Sequence, residues 1–161
     1  MKLGVIIDKF ESDGRPSRED VFMCIAHCMS WRGSCRRKQV GAIITTQSHR
    51  IVSSGYNGTL RGDLHCNKLG CNLEEKCKHA VHAELNAIAF AAQAGVSLFN
   101  TILYCTTAPC YECAKVIVQV GISKVIYGGE YTDTLGIDLL IKHGVKCQDI
   151  KSLRPWLKSE S

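Results

Sequence analysis

Two short motifs constrain the fold of this chain more than any other feature: His82-Ala83-Glu84 and Pro109-Cys110-Tyr111-Glu112-Cys113. Each falls where the residue pattern starts a helix, and a strand is expected between them. If both serve one purpose, the fold has to carry two helix N-termini to one point. Cys110 and Cys113 are spaced to share a helical face, so both sulfurs can address a single ion. Pro109 fixes the entry to the turn, and a helix N-terminus favours thiolate, the form of cysteine that ligates metal. Alone, the cysteine pair would also fit a redox pair or half a zinc knuckle, and the His-x-Glu a solvated helix face. Their pairing across two helix starts favours a shared site.

The rest of the pattern supplies an α/β frame. Ser17-Arg18-Glu19-Asp20 reads as a helix start with Ser17 as N-cap and Asp20 as its reciprocal partner. Val21, Phe22, Ile25, Cys28 and Met29 then carry the helix to about Arg32, before Gly33. The β-branched runs 40–46 and 51–54, joined by a short polar segment, predict an antiparallel hairpin. From Gly55 to Lys78 no period is convincing, and about twenty irregular residues inside a compact domain are often functional. Residues 79–95 recover a helical pattern. Strand 101–106, helix 110–120, strand 124–128, helix 134–143 and strand 145–149 follow, an alternation that predicts a largely parallel layer with the hairpin at one side. The 161 residues read as one domain, 1–161, with a core over about 18–150 and a polar tail at 151–161 in which Leu153, Trp156 and Leu157 are the apolar exceptions.

Composition narrows the setting. An apolar content of 45% and a charged content of 22% are ordinary for a soluble globular protein, and no apolar run reaches membrane-span length. The first eight residues are too short an apolar stretch for a signal peptide. The expectation is a cytoplasmic protein with no membrane partner, so the ten cysteines point to metal ligation rather than disulfides. Cys24, His27 and Cys28 share a helical face with apolar neighbours and read as ordinary packing; Cys105 and Cys147 read as strand core. The formal charge of +5 suits an anionic small molecule and a nucleic acid equally.

One histidine and two cysteines leave the fourth corner of a tetrahedral Zn²⁺ open, the mark of a catalytic site. Zinc lowers the pKa of the water it holds to roughly 7. Glu84, two residues from His82, can stand beside that water without being a ligand and pass its proton on. His-x-Glu followed by Pro-Cys-x-x-Cys is the signature of zinc nucleobase deaminases.

From about residue 18 to 150 the chain resembles the deoxycytidylate (dCMP) deaminases of the cytidine deaminase superfamily. The likeness is carried by Cys35-Arg36-Arg37-Lys38-Gln39-Val40-Gly41-Ala42, by Gly55-Tyr56-Asn57-Gly58, by the stretches around His82 and Cys110, and by Gly121-Ile122-Ser123-Lys124-Val125-Ile126-Tyr127. The Gly-Tyr-Asn-Gly stretch narrows it to this family. The resemblance implies a three-layer α/β/α sandwich around a five-stranded mixed sheet, assembled as a homohexamer. It implies hydrolysis of dCMP to dUMP and ammonia by zinc-bound hydroxide attack on cytosine C4, with Glu84 as proton shuttle. It also implies regulation by dCTP as activator, with Mg²⁺, and dTTP as inhibitor.

The resemblance further implies that Asn57 bonds the nucleotide sugar; a plain Asn-Gly turn is the alternative, weakened because no strand pattern follows Gly58. Among Arg36, Arg37 and Lys38 it points to Arg37 as a phosphate contact, since guanidinium forks match phosphate, against a solvated charged turn. Tyr131 sits where relatives place an aromatic near the pocket, with Tyr127 as the alternative. Some relatives carry a second, structural zinc. Here Cys66, Cys71 and Cys77 would hold it, with Cys35 as fourth ligand or His79 in its place, and binding free energy would become folding free energy; partly buried free thiols are the plain reading. Rival substrates are dCTP, cytidine and tRNA adenosine, but a broad RNA surface shows longer basic tracts, so no nucleic-acid partner is expected. A catalytically silent zinc module is the rival from another class, and the presence of Glu84 argues against it.

Overall fold

Helix α1 (Arg18–Ser30) begins where Ser17 and Asp20 close the expected capping box. The Ser17 hydroxyl accepts from the Asp20 N–H at 3.2 Å and the Asp20 carboxylate from the Ser17 N–H at 3.1 Å, satisfying two donors that a helix start leaves open. The structure, a computed structural model, describes residues 16–66, 68, 77, 79–129 and 134–150. Cys71, Tyr131 and the 151–161 tail lie outside these. At its far end α1 tightens: the N–H groups of Trp31, Arg32 and Gly33 bond back three residues, to Cys28, Met29 and Ser30. Such turns end an α-helix early, which is why α1 stops at Ser30 rather than Arg32.

Strands β1 (Gly41–Thr45) and β2 (Ile51–Tyr56) pair antiparallel through the turn at 46–50, where His49 takes a left-handed φ of 64°. On its other side β1 pairs antiparallel with β3 (Ile102–Cys105). Strand β3 runs parallel to β4 (Lys124–Tyr127), and β4 parallel to β5 (Lys146–Asp149). The order β2-β1-β3-β4-β5 makes the five-stranded mixed sheet that the resemblance implies. Parallel neighbours need crossovers, and α3 (Tyr111–Gln119) and α4 (Leu135–Lys142) provide them. Helix α2 (Ala83–Gln93) joins the hairpin side to β3.

Alternation along the strands divides the core in two. Ala42, Ile44, Leu103, Cys105 and Val125 pack with Ala83 and Ala87 of α2, Ala114 and Ile117 of α3 and Leu140 of α4. Ile43, Ile102, Tyr104 and Ile126 pack with Phe22, Met23 and Ala26 of α1. Helices therefore cover both faces, the three layers expected. All of β1 and β3 is buried, as suits strands covered on both faces. Among the described residues no helix is long and apolar enough to cross a membrane.

The largest displaced boundary lies beside the site. Helix α2 begins at Ala83, not at 79. Val81 instead forms an isolated antiparallel bridge with Gly58, each N–H donating to the other's carbonyl at 3.2 and 2.8 Å. With both backbone groups of Val81 held this way, the chain cannot turn helical until His82.

Candidate active site

Both halves of the site are helix starts. His82 is the N-cap of α2 and Cys110 the N-cap of α3, and neither makes a side-chain capping bond, so imidazole and thiol are available to each other. His82 Nδ1 lies 3.4 Å from Cys110 Sγ and 3.3 Å from Cys113 Sγ. Ordinary Zn–S and Zn–N bonds at a tetrahedral angle would set sulfur and nitrogen about 3.5 Å apart. The donor set fits zinc in chemistry and in spacing. His82, Cys110 and Cys113 bring their ligand atoms within 4.8 Å of one another and are the one such group among the described residues.

The electrostatics favour a bound cation. Cys110 is drawn down to about 3, first by its hydrogen bond with Cys113 and then by the bond with His82. Cys113, which holds the proton of that pair, is pushed up by the same bond and by burial. The His82 ring is raised by its bond with Cys110. A divalent ion bound here would take the place of the shared protons, with Cys110 and Cys113 as its thiolate ligands.

Glu84 sits one residue into α2 and is 4% exposed. Burial pushes its carboxyl up to about 6, against the pull of nearby His82 and a hydrogen bond with Cys113. A carboxyl poised near neutrality can take a proton and give it back at working pH. Behind it stands Cys105 of β3, fully buried, its thiol raised well above the ordinary range by burial and by neighbouring Glu84. Cys105 is strand core as expected.

Several bonds fix the two helix starts. Asn86 Nδ2 donates to the Tyr56 carbonyl at 2.8 Å and Ser53 Oγ to the Ala87 carbonyl at 2.6 Å, tying α2 to β2. Thr106 ties the end of β3 to β1, its N–H donating to the Gly41 carbonyl at 3.0 Å and its hydroxyl accepting from the Gly41 N–H at 3.1 Å. The Ala108 N–H donates to Gly129 at 2.7 Å. Gly136 of α4 then presses on the turn that carries Cys110: a Cβ there would stand 2.1 Å from the Pro109 carbonyl oxygen and 2.9 Å from the Cys110 carbonyl carbon. Sequence reasoning missed Gly136. Its one signal was a glycine inside the apolar run Leu135-Gly136-Ile137.

The remaining candidates fall in different places. Arg37 lines an open recess with Gly33, Ser34, Cys35, Arg36, Lys38 and Gln39. Asn57 is 7% exposed, and its side-chain amide is bonded to the backbone of that loop at Lys38 and Val40. Cys66 is 1% exposed, while Cys35 and Cys77 are half-buried. Those three do not form a second metal-competent group among themselves, and Cys71, like Tyr131, lies outside the described residues.

The motif geometry has counterparts in known proteins. The model of the cytidine and deoxycytidylate deaminase zinc-binding region matches residues 16–129. ComE operon protein 2 of Bacillus subtilis (strain 168) is 34% identical over 139 residues, covering 85% of this chain and 73% of that protein. The deoxycytidylate deaminase of Schizosaccharomyces pombe is 37% identical over 142 residues, but this chain spans only 44% of its length. Among solved structures, the dCMP deaminase of cyanophage S-TIM5 in complex with dCMP and dUMP aligns at a TM-score of 0.76 with 35% identity, covering 84% of this chain and 98% of that one. With the family model spanning most of the chain and the metal triad in place within it, this chain belongs to the cytidine and deoxycytidylate deaminase family.

Proposed function

We propose that the chain hydrolyses dCMP to dUMP and ammonia. The observation that carries this is the His82–Cys110–Cys113 cluster with the buried carboxyl of Glu84 against it. When bound there, zinc supplies the Lewis acidity that makes water a nucleophile at neutral pH. The chain's own residues do the rest. Glu84 takes the two protons of the attacking water in turn and delivers one to N3 and one to the C4 amino group, so that a C4–O bond forms, the C4–N bond breaks and ammonia leaves. Burial suits it to this, since a carboxyl at about 6 exchanges protons in both directions near neutral pH.

Support for the substrate is of two kinds. The cyanophage enzyme that this chain resembles over most of both lengths holds dCMP and dUMP. The recess at 33–39 gathers Arg36, Arg37 and Lys38, donors suited to a 5′-phosphate, with Arg37 the contact we assign; by the resemblance Tyr131 is the aromatic near the pocket. Ammonia release from dCMP, deoxycytidine, dCTP and a tRNA anticodon stem, compared side by side, tests the proposal. Highest kcat/KM on dCMP is expected, and preference for dCTP or RNA overturns it. No release from any cytosine compound, with dCTP and Mg²⁺ supplied, would leave a silent zinc module instead.

Three further points belong to the same reading. Cys66, Cys71 and Cys77, with Cys35 or His79, hold a second zinc; burial of Cys66 in an irregular loop supports it. Two zincs per chain, falling to one in Cys71→Ala, is the expected metal analysis, and one in the wild type removes the site. The chain forms a homo-oligomer, a hexamer by its resemblance, supported by the exposure of Trp31, Phe99, Leu135 and Ile141; light scattering that finds a monomer refutes it. Finally, dCTP activates and dTTP inhibits, which rate titrations with each nucleotide check.

A further inference from the structure

Beyond the end of β3 the pairing with β1 continues for one more step, in which Thr106 exchanges two hydrogen bonds with the Gly41 backbone. Carrying the register Ala42↔Cys105 past that step sets Thr107 beside Val40. Leu103 and Cys105 lie in the core layer that holds Ala83, Cys110 and Cys113, and Val40 and Ala42 belong to the same layer. Side chains of an extended chain alternate between faces, so Thr107 follows Cys105 onto the face of the metal motifs. Its neighbours agree. The Cys105 sulfur takes a hydrogen bond from the Thr107 backbone and shares one with the Glu84 carboxyl, and the ligand Cys110 comes three residues later.

Thr107 is 4% exposed, and its Oγ1 is enclosed with no hydrogen-bond partner among the described residues. The backbone beside it is already engaged. Asn57 takes both the N–H and the carbonyl of Val40, and the Ala108 N–H goes to Gly129. Thr45 and Tyr104 also carry enclosed hydroxyls without partners, but they alternate onto the opposite face, the one packed by α1. A buried hydroxyl left unpaired lowers stability, and valine would fill the same space without that loss. What the fold leaves open for Thr107 is a partner from outside the chain.

We propose that Thr107 is a specificity residue for the base: its hydroxyl pairs with the polar edge of the pyrimidine ring held against the metal cluster. A hydroxyl carries one donor and two acceptor sites and turns to suit. It can accept from a ring amino group or donate to a ring carbonyl, and so serves substrate and product alike. The inference rests on the reading of the chain as a dCMP deaminase.

The test compares zinc-loaded wild type, Thr107→Val, Thr107→Ser and Thr107→Ala. Steady-state kinetics on dCMP are paired with calorimetric binding of dUMP and with binding of 2-deoxyribose 5-phosphate, which has no base, by competition against dUMP. In Thr107→Val, kcat/KM should fall roughly tenfold, the size of one lost hydrogen bond, chiefly through KM. Binding of dUMP should weaken by a similar factor, while 2-deoxyribose 5-phosphate binding and zinc content hold. Thr107→Ser should restore both kinetics and dUMP binding. Unchanged kinetics and dUMP binding in Thr107→Val, with a higher Tm, would mark a merely structural hydroxyl and overturn the proposal. Equal weakening of dUMP and of the base-free sugar phosphate would place the contact elsewhere and overturn it too. If Thr107→Val does not fold, Thr107→Ala matching Thr107→Ser in dUMP binding overturns it. A wild type that releases no ammonia from dCMP would instead bring down the reading beneath, while dUMP binding still decides the contact.

Discussion

Glu84 and Cys110 do separable jobs, and single substitutions distinguish them. Glu84 is not one of the three residues whose ligand atoms converge; its carboxyl lies near them with its affinity for protons raised by burial. Glu84→Gln keeps the shape and removes the exchangeable proton. Zinc content and circular dichroism should match the wild type while kcat falls by at least ~10²–10⁴-fold, the scale of general acid–base catalysis. A near-normal rate of ammonia release would refute the shuttle. Cys110→Ala should instead lose the ion of this cluster, seen as one zinc fewer per chain by metal analysis. His82, Glu84, Cys110 and Cys113 were legible in the sequence because each motif is local: spacing along one helix turn fixes which side chains of a motif share a face. Asn57 was not legible in the same way. Its partners, Lys38 and Val40, lie 19 and 17 residues away, and no periodicity says which backbone groups a folded loop will leave for an amide to bind.

At the level of elements, the position of α4 decides how well Cys110 is held. Exchanging glycine for alanine inside a helix ordinarily stabilises it by about 1 kcal/mol. At Gly136 the sign should reverse, because the added methyl would meet the Pro109 carbonyl at 2.1 Å and must push α4 or the Cys110 turn aside. Gly136→Ala is expected to release zinc to a chromogenic chelator roughly tenfold faster or more, since metal sites lose affinity on that scale when the groups orienting a ligand move. Leu135→Ala, an exposed neighbour, should release it at the wild-type rate. Equal rates for all three proteins would show that the contact does not bear on the site. Ser17→Ala, far from the metal, should lower stability by about 1 kcal/mol in urea titration with no change in zinc release. Element types and order were readable from the sequence, because strands and helices here follow their residue periods. The start of α2 was not, since residues 79–82 carry a helical pattern that the Gly58–Val81 bridge overrides; a long-range backbone pairing beats a local preference.

In the whole molecule, the metal cluster is a link within the helical layer on one side of the sheet, joining the start of α2 to the start of α3. An ion that binds only the folded chain raises its stability by mass action, about 2.7 kcal/mol when free zinc is 100 times its Kd. For a chain of this length that corresponds to a rise in Tm on the order of 5–10 °C. Removing zinc with a chelator should lower Tm by this amount and returning zinc should restore it, followed by calorimetry at fixed protein concentration. Cys110→Ala should lose the part of the response that belongs to this cluster. Any remainder must come from elsewhere, and the proposed Cys66–Cys71–Cys77 site predicts that Cys71→Ala removes it. Identical melting of the zinc-free and zinc-loaded wild type would mean that the ion contributes nothing to holding α2 against α3, leaving its role to chemistry alone.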